Sequence, residues 1–142
     1  MPSRLTFSTG LAFGLAVAPA FPIMTHAEEI DWRACQPYER RITCVVDGDT
    51  LWYQGTKIRL LGIDAPEIEG RCANERRMAR VATLELTRFL TTGLTRIAYD
   101  GQDRHGRRLA RLWAREGEVG PAMVAAGLAE PFGRRGPSPW CP

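Results

Sequence analysis

The chain is poor in the residues on which several common kinds of catalysis depend. It has one lysine, Lys57, and two histidines, of which only His105 lies beyond residue 27. An acid–base scheme built on two histidines is therefore excluded for that part of the chain, and no Ser-His-Asp set is evident. No Cys-X-X-Cys pair of a zinc site is present either.

The sequence also lacks the unbroken apolar run of about 20 residues that a membrane span needs. The early apolar stretch follows Arg4 and is interrupted by Pro19 and Pro22, and small residues precede Glu28. This order predicts a secretory signal peptide over residues 1–27 with cleavage after Ala27, or at a second site after residue 20. A retained membrane anchor is the alternative.

Charge alone says little about partners. Removing residues 1–27 takes away one arginine and no acid, so the net charge falls from +3 to +2. Lys57 is the only lysine, and the other residues that are positively charged at neutral pH are arginines. Arginine binds phosphate with a bidentate fork, which favours a nucleic-acid partner, but a biased genomic base composition explains the same preference.

Four cysteines, at positions 35, 44, 72 and 141, follow the predicted signal peptide. An even number in an exported chain predicts two disulfides. Three pairings are possible, and the sequence does not choose among them. Our working hypothesis pairs Cys44 with Cys72 and Cys35 with Cys141, because that arrangement ties down both chain ends.

Hydrophobic residues make up 44% of the chain, which is typical of a folded domain. The alternation of β-rich segments with turn residues predicts five strands: 41–46, 50–54, 57–63, 94–99 and 108–114. Two helices are predicted, over 75–91 and 119–126, with Asn74 capping the first and Gly93 ending it. The order β-β-β-α-β-β-α indicates an α+β fold, a five-stranded OB-type Greek-key barrel with two helices.

The first predicted helix carries a broad apolar stripe with charges opposite. A helix of this kind packs its apolar side on a sheet, and we expect it to close one end of the barrel. The stripe comprises Met78, Val81, Ala82, Leu84, Leu86, Phe89 and Leu90.

Four segments carry possible chemistry: Asp47-Gly48-Asp49-Thr50, Arg59, Asp64-Ala65-Pro66-Glu67 and Asp103-Arg104-His105-Gly106-Arg107. Each alone has an ordinary explanation as a turn or an exposed charge. Together they place several carboxylates and arginines at strand ends and loops, where functional residues concentrate.

The chemistry of these groups indicates a hard divalent cation and a phosphate. Asp49 and Asp64 supply carboxylates and Ala65 a backbone carbonyl, the oxygen ligands that such cations prefer. Glu67 follows the rigid proline and can orient or deprotonate a water. Arg59 and Arg107 can fork onto a phosphate and neutralise charge in the transition state.

One spacing resists this arrangement. Arg59 and Asp64 are five residues apart, so strict strand alternation puts their side chains on opposite faces. A bulge or sharp bend near Gly62 is needed to bring them to one site.

The motifs resemble the staphylococcal nuclease (thermonuclease) family, in its short exported bacterial form. Four motifs occur in the order found there: Val45-Val46-Asp47-Gly48-Asp49-Thr50, Ile58 to Glu67, Asp103 to Leu109, and Gly127-Leu128-Ala129. The resemblance covers about residues 44–129, and four ordered motifs are far more specific than any one.

What the resemblance implies is Ca²⁺-dependent hydrolysis of DNA and RNA. By motif position, Arg59, Glu67 and Arg107 match the catalytic residues. Asp49 and Asp64 match the calcium carboxylates, and Ala65 falls where a backbone carbonyl binds the metal.

The same resemblance puts Arg104 and His105 near the substrate's terminal phosphate. The chain departs from the family after Ala129, where Glu130-Pro131-Phe132-Gly133 replaces base-stacking tyrosines. The remaining residues leave no room for a third helix.

The sequence therefore predicts four regions: a signal peptide over 1–27, an irregular lead-in over 28–40, a nuclease-like OB-barrel domain over 41–133, and a Gly/Pro-rich tail over 134–142. We expect a periplasmic or secreted monomer that acts on nucleic acid without stable membrane association. A non-catalytic nucleic-acid-binding OB-type module is the alternative, as is a disulfide-rich interaction module.

Overall fold

The computed structural model describes residues 30–141, so the predicted signal peptide lies outside the described part of the chain. The elements in chain order are β1 (Cys44–Val45), β2 (Thr50–Tyr53), β3 (Thr56–Leu60), β4 (Ile63–Asp64), α1 (Ala73–Thr91), β5 (Leu94–Gln102), β6 (Arg108–Ala114), β7 (Gly117–Glu118), α2 (Val119–Ala125) and β8 (Glu130–Pro131). A mostly strand-built sheet with two helices confirms the predicted α+β class.

The main sheet follows the path β1-β2-β3-β6-β5. The first three strands form an antiparallel meander, β3 pairs in parallel with β6, and β5 pairs antiparallel with β6. These are the five predicted strands, with β1 shorter and β5 longer than expected. Among residues 30–141 no pairing joins β5 back to β1, so a closed barrel stays a prediction.

The third predicted strand is broken in two by a bend. β3 ends at Leu60, Gly62 has a φ of 84°, and β4 then runs in a new direction. A positive φ is a conformation that glycine adopts without steric cost. The structure thus contains the bend near Gly62 that the spacing of Arg59 and Asp64 requires.

Helix α1 packs one narrow face on the sheet, and the predicted apolar stripe was too wide. After the first turn its buried positions recur every three or four residues: Ala79, Ala82, Thr83, Leu86, Phe89 and Leu90. Val81 and Leu84, by contrast, are exposed. They project away from the sheet because a straight helix presents only about one third of its circumference to one partner.

The predicted cap of α1 was wrong by two residues. Cys72 is the N-cap, with an extended backbone and its sulfur accepting a hydrogen bond from the backbone N–H of Glu75 at 3.4 Å. Asn74 instead donates its side-chain amide to the carbonyl of Trp140 at 3.0 Å. The helix starts earlier because Cys72 is held in place from the C-terminal segment.

The hypothesised disulfide pairing was also wrong. The bonds join Cys35 to Cys44 and Cys72 to Cys141. The lead-in forms a parallel bridge from Ala34 to Val45, which brings Cys35 beside β1. A local contact thereby selected the first pair and left the other two cysteines for each other.

The C-terminal segment packs back on the domain. β8 pairs antiparallel with β4, and Trp140 is buried near the start of α1. The described part of this segment, after β8, contains turns and bends and no helix. No helix within residues 30–141 has the length and apolar character of a membrane span.

The two disulfides should differ in their contribution to stability. By chain entropy, removing Cys72–Cys141, which spans 69 residues, should cost about 4 kcal/mol, against about 2.5 kcal/mol for Cys35–Cys44, which spans 9. The measurement is urea unfolding of the two double serine variants; serine at position 72 keeps a good N-cap. Equal losses would show that loop length does not govern the effect here.

Candidate functional site

The site starts from the tight turn between β1 and β2. The backbone N–H of Asp49 donates to Oδ1 of Asp47 at 3.0 Å, and the N–H of Asp47 donates to the carbonyl of Thr50 at 3.2 Å. A Cβ added at Gly48 would lie 2.6 Å from the Cβ of Ala82 on α1. Only glycine lets the turn lie this close to the helix, and this close contact buries Asp49.

The carboxylate of Asp49 connects three segments. Its Oδ1 accepts from the hydroxyl of Thr50 at 2.8 Å and from Nη1 of Arg59 at 2.7 Å. Its Oδ2 accepts from the backbone N–H of Ala65 at 3.0 Å. Because Asp49 is only 3% exposed, these hydrogen bonds replace the water that a buried carboxylate loses.

Arg59 lies between two carboxylates. The β2–β3 register puts it opposite Thr50, and its Nη2 donates to Oδ1 of Asp64 at 2.7 Å and to the carbonyl of Ile63 at 3.4 Å. Its side chain is 11% exposed, whereas that of Asp64 is 53% exposed. A guanidinium has five N–H groups, of which the contacts to Asp49, Asp64 and Ile63 use three, so two remain that can donate to an anion.

Glu67 lies exposed beyond Pro66, at the rim of the same region. Reduced hydration, followed by the carboxylates of Asp49 and Asp64, raises the pKa of Glu67 above its usual value, and the guanidinium of Arg59 opposes this only in part. A carboxyl group with a raised pKa is a better proton acceptor, as general-base chemistry requires.

Asp47 shows the excess of negative charge most clearly. Burial, and then the neighbouring carboxylates of Asp49 and Glu67, raise the pKa of Asp47 to about 7. The carboxyl groups of four residues interact with the guanidinium of Arg59: those of Asp47, Asp49, Asp64 and Glu67. This donor set fits a hard divalent cation, which binds carboxylate oxygens and would relieve their repulsion.

The carboxylates nevertheless do not form a complete coordination shell for a metal ion. Arg59 separates Asp49 from Asp64. In residues 30–141 the tight group of candidate metal-binding atoms is Cys72, Glu75 and Cys141, and both its sulfurs are joined in a disulfide. Sulfurs in a disulfide are not thiolate ligands, so that group is no metal site as it stands.

The loop between β5 and β6 fixes Arg107 through Asp103. Oδ1 of Asp103 accepts from the backbone N–H of Arg107 at 2.9 Å, and Oδ2 accepts from its Nε at 2.6 Å. Desolvation opposes ionisation, but these hydrogen bonds outweigh it and lower the pKa of Asp103 to about 2. Gly106, with a φ of 78°, supplies the turn that returns Arg107 towards its partner.

Arg104 and His105 occupy the exposed tip of this loop. Nε of Arg104 donates to Nε2 of His105 at 3.1 Å, and the backbone N–H of His105 donates to Asp103 at 2.9 Å. Both side chains are open to solvent and neither is fixed by the core.

One cleft of about 600 Å³ brings most of the predicted site residues together. Its lining comprises Arg59, Leu60, Leu61, Gly62, Ile63, Glu67, Asp103, Arg104, His105, Arg107, Leu109 and Phe132. The volume is in the range of ligand-binding pockets. Asp49, Asp64 and Ala65 lie outside this lining. Asp49 and Asp64 are connected to it by hydrogen bonds from Arg59, and Ala65 is connected by its hydrogen bond to Asp49.

Sequence reasoning missed Phe132 as a residue of the cleft. Its backbone N–H donates to the carbonyl of Gly62 at 3.0 Å, its side chain is 69% exposed, and its ring centroid is 6.0 Å from the guanidinium carbon of Arg59. Phe132 lies three residues after Ala129 of the late Gly-Leu-Ala motif, so an aromatic residue at that spacing was the available signal. The role of Asp103 in holding Arg107 was also missed, although its i,i+4 spacing was visible.

The fold and the site together define a class of small α+β domains. In this class, a cleft lined by acidic residues and arginines lies where the chain leaves the β1–β3 meander. A family model described as staphylococcal nuclease homologue matches residues 57–137. The chain belongs to this family.

The similarity to other proteins extends over only part of the length of each relative. The succinoglycan biosynthesis protein ExoI of Rhizobium meliloti (strain 1021) is 32% identical, over 75% of this chain and 56% of its own length. An uncharacterized endonuclease of Escherichia coli O157:H7 is 33% identical, over 67% of this chain and 61% of its own. A thermonuclease of Staphylococcus intermedius is 30% identical, over 60% and 54% respectively. The chain thus spans little more than half the length of these relatives.

The lowered pKa of Asp103 gives a pH prediction. Its folded pKa of about 2 lies below the ordinary 3.8, so its contribution to stability is present above about pH 4 and is lost as the pH falls towards 2. The melting temperature of the wild type should exceed that of Asp103→Asn at pH 7, and the gap should close by about pH 2. Asp100→Asn, exposed on β5, is the control. A gap that persists unchanged at pH 2 would contradict this assignment.

Proposed function

We propose that this protein is a calcium-dependent phosphodiesterase, an endonuclease that hydrolyses DNA, RNA or both. The observation that carries the proposal is the single cleft lined by Arg59, Glu67 and Arg107, beside an excess of carboxylates. Membership of the staphylococcal nuclease homologue family and the names of two relatives, an endonuclease and a thermonuclease, support it.

The two arginines are the proposed phosphate-binding residues. Arg59 is held by Asp49 and Asp64, and Arg107 is held by Asp103, so both guanidinium groups are oriented before substrate arrives. Orientation of this kind lowers the cost of reorganisation when charge builds on the phosphate oxygens. Their partners leave further N–H groups for the phosphate.

Glu67 is the proposed general base. Its raised pKa supports this role, since a carboxylate of ordinary pKa is a weak acceptor for a water proton. The attacking water gives a proton to the Glu67 carboxylate as its oxygen bonds to phosphorus, while Arg59 and Arg107 donate hydrogen bonds to the phosphate. The P–O bond to the sugar oxygen breaks, and that oxygen leaves with a proton from solvent.

Asp49, Asp64 and the backbone carbonyl of Ala65 are the proposed ligands of the cation. The raised pKa of Asp47 supports a positive ion in this region, because the backbone N–H of Asp49 relieves burial and carboxylate repulsion there only in part. When bound, calcium would neutralise negative charge on the phosphate group and the carboxylates.

Arg104 and His105, at the loop tip, are proposed to contact a further phosphate of the substrate. The exposed ring of Phe132 offers a base a stacking surface at the other side of the cleft. In this proposal Phe132 takes the place of the base-stacking tyrosines that are missing after Gly127-Leu128-Ala129.

The proposed location is the periplasm or the medium. Two disulfides are typical of an oxidising compartment. The proposed domain is an OB-type barrel that acts as a monomer, without stable membrane association once residues 1–27 are removed.

The first prediction of this proposal concerns catalysis. Glu67→Gln should lower the cleavage rate by about 10²–10⁴-fold with the melting temperature unchanged, because a general base contributes about that much. Arg107→Ala and Arg107→Lys should also cleave poorly, since lysine lacks the fork. Initial rates on plasmid DNA and on RNA are the measurement.

Arg80→Ala is the matched control for this series, as Arg80 is exposed on α1. Near-normal turnover by Glu67→Gln would remove Glu67 from the mechanism. Binding of nucleic acid by the wild type without any cleavage would instead favour the alternative, a non-catalytic binding module.

The second prediction concerns the cation. Activity should need free Ca²⁺ of roughly 10⁻⁴–10⁻³ M, the weak class of extracellular sites, because two carboxylates and a carbonyl make a sparse ligand set. Asp64→Asn should raise the requirement by about tenfold or more. Asp64 is the better choice for substitution than Asp49, which also ties the fold together. Full cleavage in excess chelator would overturn the calcium dependence.

A further inference from the structure

Glu75 is a buried acid that neither the fold described above nor the proposed chemistry explains. It lies in the first turn of α1 and is 5% exposed. Its Oε2 accepts from the backbone N–H of Arg71 at 2.9 Å. Burying a carboxylate costs free energy. An acid that only kept the protein surface polar would be exposed, so the buried position of Glu75 needs another explanation.

An ordinary capping box does not explain the contact either. With Cys72 as N-cap, Glu75 is the third residue of the helix, and a capping-box glutamate at that position bonds the N–H of the N-cap itself. Here the side chain reaches one residue further, to Arg71. Glu75 therefore holds the loop that precedes the helix.

That loop runs directly from Glu67. The backbone N–H of Gly70 donates to the carbonyl of Glu67 at 2.9 Å, which closes a tight turn. A Cβ added at Gly70 would lie 2.5 Å from Cγ of Glu75 and 2.8 Å from the carbonyl oxygen of Glu67. Glu75 thus packs against the same turn that carries Glu67.

Two further contacts fix the loop to the helix. Nη1 of Arg76 donates to the carbonyl of Gly70 at 2.7 Å. The disulfide from Cys72 to Cys141 anchors the end of the loop, with Cys141 Sγ 3.3 Å from the Glu75 carboxylate. The side chain of Glu67 itself makes none of these bonds, so its position depends on the backbone that they hold.

We propose that Glu75 is a positioning residue for Glu67: its buried carboxylate fixes the segment 67–72 on α1 and thereby keeps the Glu67 side chain in the cleft. The inference rests on the proposed function, in which Glu67 accepts the proton. Glu75 touches neither substrate nor reacting atoms and acts on the position of Glu67 through the loop.

The test is a double-mutant cycle with kinetics at a temperature well below unfolding. Glu75→Ala should lower kcat by about 10–10²-fold, the order that misplacement of a reacting group costs, with KM within about twofold. In the Glu67→Gln background the same change should lower kcat by less than about twofold. Glu75→Gln keeps an acceptor oxygen for the Arg71 N–H and should retain most of the wild-type kcat.

Two controls separate positioning from stability. Leu86→Val leaves a small cavity in the same helix and should lower the melting temperature without lowering kcat. Glu69→Ala removes an exposed acid of the same loop and should change neither. A readout independent of cleavage is amide exchange, which should speed up at Arg71 in Glu75→Ala and stay the same at Arg107.

The outcomes are distinguishable. A loss of kcat in Glu75→Ala that is equal in both backgrounds, or a lowered melting temperature with normal kcat, overturns the inference alone. Unchanged exchange at Arg71 overturns it as well. A wild type that does not cleave nucleic acid overturns the proposed function and the inference with it.

Discussion

The buried carboxylate of Asp49 is the constraint on which the site depends. It accepts hydrogen bonds from Arg59 on β3 and from the backbone of Ala65 beyond β4. One acid therefore fixes the meander, the bend at Gly62 and the segment that leads to Glu67. Breaking a buried pair of this kind leaves an unpaired charge and is strongly destabilising. Asp49 is consequently a structural residue as much as a candidate ligand.

The site is also out of electrostatic balance, and this imbalance is informative. If the site were only structural, the acids that are not paired with Arg59 would gain no stabilising interaction from their neighbours. Instead, burial and carboxylate repulsion raise the pKa values of Asp47 and Glu67. Groups that destabilise one another in a protein's unliganded form are expected where a ligand later relieves the strain. A cation and a phosphate, bound together, would bring the charges of the cleft back into balance.

Sequence reasoning succeeded where residues carry information about their own backbone. The five strands and both helices followed from turn residues and periodicity, and the bend at Gly62 followed from the spacing of Arg59 and Asp64. It failed where the answer lies in a contact between distant segments. The pairing of Cys72 with Cys141, and the contact of Asn74 with Trp140, depend on how the C-terminal segment returns to α1. The roles proposed for the site residues come from motif order, and only the cycle and metal experiments can test them.

The return of the C-terminal segment connects these observations. β8 pairs with β4, so Glu130 lies opposite Asp64, and the N–H of Phe132 bonds the carbonyl of Gly62 at the bend. A few residues further on, Cys141 joins the loop of Glu67 to the tail. The strand that carries Asp64 and the loop that follows Glu67 are therefore both held by the same short segment. A domain with two helices in residues 30–141 can hold its site in this way, because a disulfide and two strand residues restrict the loop at both ends.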